Sequence, residues 1–290
     1  MSRVFALLVV TAAIAAQEKA PAGVRFGDAR LQKGAQIVAT SSNEATLKTT
    51  VKGGAIEQEI ESTTVVDYAW TVAVTACDER GVQAATLDVA RAHLRATTPL
   101  GETEHDSPAA GAKWSATRGE GDAAWRFARE GAPAPDDEAK RTLDEIAARA
   151  LGRAPLAAAL AGKTLKVGDK VDVPMADAQR ALATFAEPGA VKSLALELTG
   201  TKELDGVAVA TFAAKAHLES TQATEAGGTT TTDLEGELAV TTAQSLVVRA
   251  TLSGPTTLDV KVGDGSDAVT IHGTGRSTWT FRAELRAKSD

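Results

Sequence analysis

Histidine is the side chain that changes charge nearest neutral pH and the commonest metal ligand, so the four histidines of this 290-residue chain come first. His93 lies between Arg91 and Arg95, and His217 follows Lys215 and precedes Glu219 at alternating positions. Strand alternation sends both rings to a polar face. His272 shares its polar face with Thr274, Arg276 and Arg282. His105, in Glu102-Thr103-Glu104-His105-Asp106, has the densest set of ligand types. It reads as an acidic surface loop rather than a metal centre. No metal or other cofactor is expected, since further ligands do not cluster around any of the four.

The remaining candidates for chemistry are also better explained as structure. Cys77 is the only cysteine, so it has no intrachain disulfide partner, and acidic Asp78 and Glu79 beside it raise rather than lower a thiol pKa. A small buried hydrophobe is the expectation. Glu57, Glu59 and Glu61 share one strand face, which protects an edge from association. Asp264-Gly265-Ser266-Asp267 lacks the spacing and the terminal glutamate of a calcium loop and reads as a hairpin turn. Gly273-Thr274-Gly275 lies inside a strand with no helix to receive a phosphate. Nucleophile elbow, zinc-protease and Ser-x-x-Lys patterns are not found in a fitting context. The chain is therefore not expected to be an enzyme.

The elements that carry these residues follow from periodicity. From Leu246 to Val260 the even positions are apolar or small, and the odd positions carry Arg249, Thr251, Ser253, Asp259 and Lys261. That predicts one long half-buried strand, with at most a bulge at Gly254-Pro255. Beyond it Val269, Ile271, Trp279, Phe281 and Leu285 share a face. Leu194-Leu196-Leu198, 212–218 and Leu234-Leu238-Val240 add strands, joined by turns at Asp205-Gly206 and Gly227-Gly228 into an antiparallel meander. In the first half, 37–51 turns at Gly53-Gly54 into 56–60, Val66-Tyr68-Trp70-Val72-Val74 follows, and a strand runs over 82–96. Trp114 and 123–128 are expected as edge strands. Between the halves the period becomes helical. Asp136 caps a helix in which Leu143, Ile146, Ala147, Ala150 and Leu151 recur at helical spacing until Gly152 stops it. Shorter helices are expected over 155–161 and 177–185.

The two β halves look duplicated. Gly81-Val82-Gln83-Ala84-Ala85-Thr86-Leu87 aligns with Gly206-Val207-Ala208-Val209-Ala210-Thr211-Phe212, and Ala92-His93-Leu94 with Ala216-His217-Leu218. The match needs one extra residue in the first copy, where the alternation changes phase between Val89 and Ala90, as a bulge would cause. The organisation read from this is a leader over 1–16, a first meander over 17–131, a helical insert and linker over 132–189, and a second meander over 190–290. The leader has one cation, Arg3, an apolar run too short to span a bilayer, and an Ala13-Ile14-Ala15 cleavage signature, with the cut after Ala15 or Ala16. Export to the periplasm or beyond is the expectation, with no transmembrane segment after cleavage. A net charge of −7 without a basic run gives no grip on nucleic acid.

Long one-sided strands need a cover, and strands this long curl. The expected fold is mainly β: two consecutive curved antiparallel meanders, half-barrel or barrel-like, with a short helical insert. The leader, the Thr-rich meanders, the helical insert and the phrase Lys166-Val167-Gly168-Asp169-Lys170-Val171 resemble an uncharacterised family of exported bacterial two-lobed β proteins. More distantly they are similar to the half-barrels of periplasmic lipoprotein carriers. In the first family the phrase runs on into tryptophan, whereas Lys170 and Val171 stand here. The carrier resemblance implies a concave apolar surface able to hold acyl chains. On this reading the protein binds a lipid or another hydrophobic molecule, with Leu143, Ile146, Leu151, Leu156, Trp70 and Phe212 lining the concavity. The alternative is a structural or protein-interaction module of the envelope whose partner is another envelope protein.

Overall fold

The computed structural model describes residues 23–53, 56–119, 124–183, 185–187, 189–222, 228–263 and 268–286. The expected leader and the Asp264–Asp267 turn lie outside them. The elements are β1 (Val24–Arg25), β2 (Gln36–Gly53), β3 (Ile56–Asp78), β4 (Gly81–Thr98), β5 (Gly101–Asp106), β6 (Ala112–Arg118), β7 (Trp125–Ala128), α1 (Asp137–Ala150), α2 (Ala157–Leu160), β8 (Thr164–Leu165), β9 (Lys170–Asp172), α3 (Met175–Ala181), β10 (Val191–Leu204), β11 (Val207–Gln222), β12 (Gly228–Thr241), β13 (Val247–Val262) and β14 (Val269–Arg286). The protein is mainly β, as expected. Twelve strands form one antiparallel sheet in the order β7-β6-β4-β3-β2-β14-β13-β12-β11-β10-β9, with β5 paired to β4. The sheet is not closed into a barrel: β7 and β9 are its edges. The two meanders join where β2 pairs with β14 along an unbroken register from Lys52↔Thr270 to Gln36↔Arg286.

Alternation gives the sheet its two faces. The inner one carries Ile37 and Ala39 of β2, Trp70, Val72 and Val74 of β3, Leu87 and Val89 of β4, Phe212 of β11, and Trp279 and Phe281 of β14, all buried. The three helices lie on this face. Asp136 caps α1 by accepting from the Ala139 backbone N–H at 2.8 Å, a contact worth about 1 kcal/mol. Leu143, Ile146, Ala147 and Ala150 of α1, together with Leu156 and Leu160, join the sheet's apolar residues in one core. One end of that core is sealed by the segment around Phe26, whose ring lies 5.8 Å from that of Phe212. Ser245 Oγ donates to the Gly27 carbonyl there at 2.8 Å.

A diagonal of glycines crosses the inner face of the sheet. Gly236 pairs with Leu252, two residues from Gly254; Gly254 pairs with Ser277, two residues from Gly275. A Cβ at Gly254 or Gly275 would overlap the carbonyl oxygen of Asp233 or Thr46 on the neighbouring strand. Only glycine allows backbones to approach so closely, as at the corners of barrels. Pro255, which has no N–H to give, sits at the same place, and the β12–β13 ladder skips Asp233 and Leu234 opposite it.

Several local expectations change. The segments 56–60 and 66–74 form one strand, β3, of 23 residues. No bulge interrupts β13 against β14 at Gly254-Pro255, where the register is continuous. The phase change at Ala90 is a bulge: Ala69 faces Arg91 and Trp70 faces Val89. Residues 101–106 are a strand rather than a loop. All six are exposed, so they carry no alternation to read. The third helix begins at Met175, with Pro174 as its N-cap in an extended conformation, and it ends at Ala181. The Val-Gly-Asp phrase forms a turn. Gly168 there has φ +91°, Asp169 Oδ2 accepts from the Lys166 N–H at 2.8 Å, and the Gly168 N–H donates to the Leu198 carbonyl. Its sequence is thus accounted for by the docking of that turn on β10.

Candidate ligand-binding trough and cleft

The six residues expected to line a ligand site, Leu143, Ile146, Leu151, Leu156, Trp70 and Phe212, are brought together in the core, each no more than 2% exposed. They pack against one another and against the sheet. The cavity beside Trp70, Arg149 and Phe281 holds about 10 Å³, room for at most a single water. In this half of the concavity the helices occupy the space.

Beyond the helices the inner face continues without them. Val51 of β2, Ile271 of β14 and Val260 of β13 stand side by side in register, with Leu47, Ile60, Val66 and Leu258 nearby. All are only partly buried. Leu94 of β4 and Val262 of β13 are exposed by 37% and 40%. The floor between these side chains is small. Gly273 faces Thr49 on one side and Leu258 on the other. Hydroxyls of Thr232, Thr256 and Ser277 bond in sequence at 3.1 and 2.7 Å, spending their polarity on one another. We refer to this half-exposed apolar stretch of the inner face, with small side chains between the larger ones, as the trough.

The trough meets the helices at a cleft of about 390 Å³ lined by Val66, Tyr68, Leu94, Glu145, Phe185 and Glu187 among others. An adjoining cleft of about 480 Å³ between α1 and α3 shares Arg141, Glu145, Ala183 and Ala186 with it. The Tyr68 hydroxyl donates to Glu145 Oε2 at 3.3 Å. Burial, the largest cause, pushes the Glu145 carboxyl up to about 7, opposed by the Tyr68 hydrogen bond and the Arg141 charge. Burial also raises Tyr68, and the neighbouring Glu145 charge adds to it. Asn43 Oδ1 is buried beside them without a hydrogen-bond partner among the described residues.

Arg149 lies deeper. It is 4% exposed, donates to the Ala181 carbonyl at 2.9 Å, and its guanidinium sits 3.7 Å from the centre of the Phe281 ring. Burial lowers its pKa to about 9.

Sequence reasoning placed Tyr68 on the inward face but did not find Glu145, Arg141 or Asn43. Glu145 falls between Leu143 and Ile146, at the margin of the apolar stripe of α1. That marginal position was the available signal.

Each histidine faces a carboxylate. Nδ1 to Oδ1 distances are 2.8 Å for His93 and Asp106, 2.7 Å for His217 and Asp233, and 2.7 Å for His272 and Asp259. These pairs lie on the outer face, on separate strands. His105 Nε2 meets Glu138 Oε1 of α1 at 2.6 Å. Among the described residues no three His, Cys, Asp or Glu side chains gather as metal ligands would. Glu57 and Glu59 pair with Lys52 and Lys48 across β2. The Cys77 thiol is raised by burial first and by Asp78 second, and it lies 3.4 Å from the Leu31 carbonyl oxygen. No helix among the described residues is long and apolar enough to cross a membrane.

No protein-family model matches the chain, and no curated protein matches it. Among solved structures it is similar to lipovitellin, from a study of lipid-protein interactions, at 10% identity and a TM-score of 0.36; the match covers 89% of this chain. The chain spans only 26% of that structure's length. An outer membrane channel from Pseudomonas putida F1 aligns at 12% identity over 88% of this chain and 97% of the channel, with a TM-score of 0.22. A DUF1329 family protein from Desulfovibrio piger aligns at 7% identity over 83% and 85% of the two chains, with a TM-score of 0.15. With overlaps this small, the functional reading rests on this chain's own geometry.

Proposed function

We propose that this is an exported, non-catalytic binding protein of the cell envelope that holds the apolar part of a lipid or similar amphiphile in the trough formed by β2, β3, β13 and β14. The observation that carries the reading is the contrast on one face of the sheet: an apolar surface covered by helices at one end and left partly exposed at the other. Val51, Ile271 and Val260 side by side, on a floor of glycine and mutually bonded hydroxyls, suit a flexible hydrocarbon chain. Such a ligand needs burial and width more than directional contacts. The cleft at the helix end supplies the few polar groups that would fix its orientation.

The test is direct. Protein purified without detergent is extracted with organic solvent and the extract analysed by mass spectrometry, alongside titration with a fluorescent fatty acid. Stoichiometric lipid, or uptake of the probe that Ile271→Asp abolishes while the fold is retained, is the expected result. A stable, empty protein that ignores the probe would overturn the reading in favour of an envelope interaction module.

A further inference from the structure

Resting on the reading of the trough as an amphiphile site, we infer that the cleft at its mouth selects ligands whose polar end is a primary ammonium group, received by Glu145, Asn43 and the ring of Tyr68. Three observations converge there. The Glu145 carboxyl accepts from the Tyr68 hydroxyl and has no ion-pair partner among the described residues, and it shares its cleft with the apolar Val66, Leu94 and Phe185. A carboxylate taken from water without a counter-charge demands either a proton or a cation. Asn43 Oδ1 is a second acceptor, buried and unpartnered, which a ligand N–H would satisfy. The Tyr68 and Phe185 rings line the same cleft, and aromatic rings attract cations.

The other charged groups facing the site leave this bias in place. Glu187 lines the same cleft, and its Oε2 accepts from Ser220 at 2.8 Å. Asp144 raises the Glu145 pKa and is itself paired with Lys140 at 2.5 Å. In the adjoining cleft Arg180 is held by Asp177. Arg141, one turn before Glu145 on α1, lowers the Glu145 pKa but is exposed. An anionic head drawn to Arg141 would meet Glu145 and Glu187 and leave Asn43 Oδ1 without a donor. An ammonium group meets neither cost.

The full-length protein is titrated with dodecylamine, dodecanol and dodecanoate below their micelle thresholds, with calorimetry as the readout. The expected result at about pH 8, where the carboxyl is ionised and the amine still charged, is dodecylamine binding about tenfold or more tighter than dodecanol, as charge-assisted hydrogen bonding would give. That advantage shrinks as pH falls through about 7. Glu145→Gln removes it, with circular dichroism and thermal unfolding certifying that the variant is folded. Equal affinity for amine and alcohol, indifference to Glu145→Gln, or tightest binding of dodecanoate would each overturn the head-group inference with the trough reading untouched. Failure of all three probes to bind would instead sink the trough reading, and the inference with it.

Discussion

Two stretches of the same concave face, built by the same strands, have opposite characters. From Ile37 to Ser41 on β2 the inner face meets α1 and α3 and is sealed; from Leu47 to Val51, a few residues on, it meets no helix and is only half buried. Residue type differs with it. The sealed half uses Trp70, Phe212, Trp279 and Phe281, large rings that fill volume, and the open half uses Val, Ile, Leu, Thr and Gly. Aromatic residues make up only 4% of the chain, and most inward-facing ones are concentrated where the helices pack. On the proposed reading, stability and ligand binding would therefore reside in different halves of one sheet. Substitutions in the two halves should separate them.

The largest effect is expected in the sealed half. Leu143→Ala removes a side chain with no exposure and should cost about 2–5 kcal/mol in denaturant unfolding. A loss near zero would mean that the helices do not pack as described and that the two halves are alike. Next comes the glycine diagonal. Gly275→Ala introduces a Cβ where the Thr46 carbonyl already lies, and the strain should cost about 1–3 kcal/mol. Amide exchange should rise on both β14 and β2 if the diagonal is a true corner, and on β14 alone if it is not.

Glu145 gives a smaller effect with a defined sign. Its folded pKa, raised to about 7, exceeds the usual carboxylate value, so the folded state holds a proton that the unfolded state has released. That contribution is fully present at acid pH and is lost as pH rises from about 4.5 through about 7. Allowing for its partial exposure to solvent, the decline is on the order of 1 kcal/mol. Glu145→Gln should flatten this segment of the stability profile, and an unchanged slope would assign it to other groups. The smallest effect on stability belongs to the open half. Ile271→Thr should shift unfolding by about 0.5–1 kcal/mol, because little apolar area leaves water there, yet weaken uptake of a fluorescent fatty acid. A large stability loss would show that the trough is packed after all.

What the sequence revealed followed from local rules. Asp136, the apolar repeat from Leu143 to Ala150 and Gly152 placed α1 within two residues, and alternation put Trp70 and Phe212 on the inner face. A single phase error located the bulge at Ala90. The features it concealed are those made by distant partners. Tyr68 and Glu145 meet across sheet and helix, and neither one's neighbours predict the other. β5 has no apolar face, since its pairing with β4 buries none of its side chains. The half-open concavity was concealed for a related reason. Period tells which residues face inward, whereas the reach of the helices along that face depends on the length of β2, β3 and β14, and the sequence pattern divided β3 into two segments instead of one long strand.

The pairing of β2 with β14 has a kinetic meaning. Each meander can zip from neighbouring strands through short turns, but Gln36 meets Arg286 only after nearly all the intervening chain has found its place, and contacts so far apart in sequence form late and slowly. Until they form, β2 and β14 are both free edges, open to pairing with other chains. The trough also does not exist until then, since Val51 and Ile271 line it from opposite sides of that seam. On the proposed reading the chain would thus complete its binding surface only in the final step of folding, and a partly folded molecule would have nothing with which to hold a ligand.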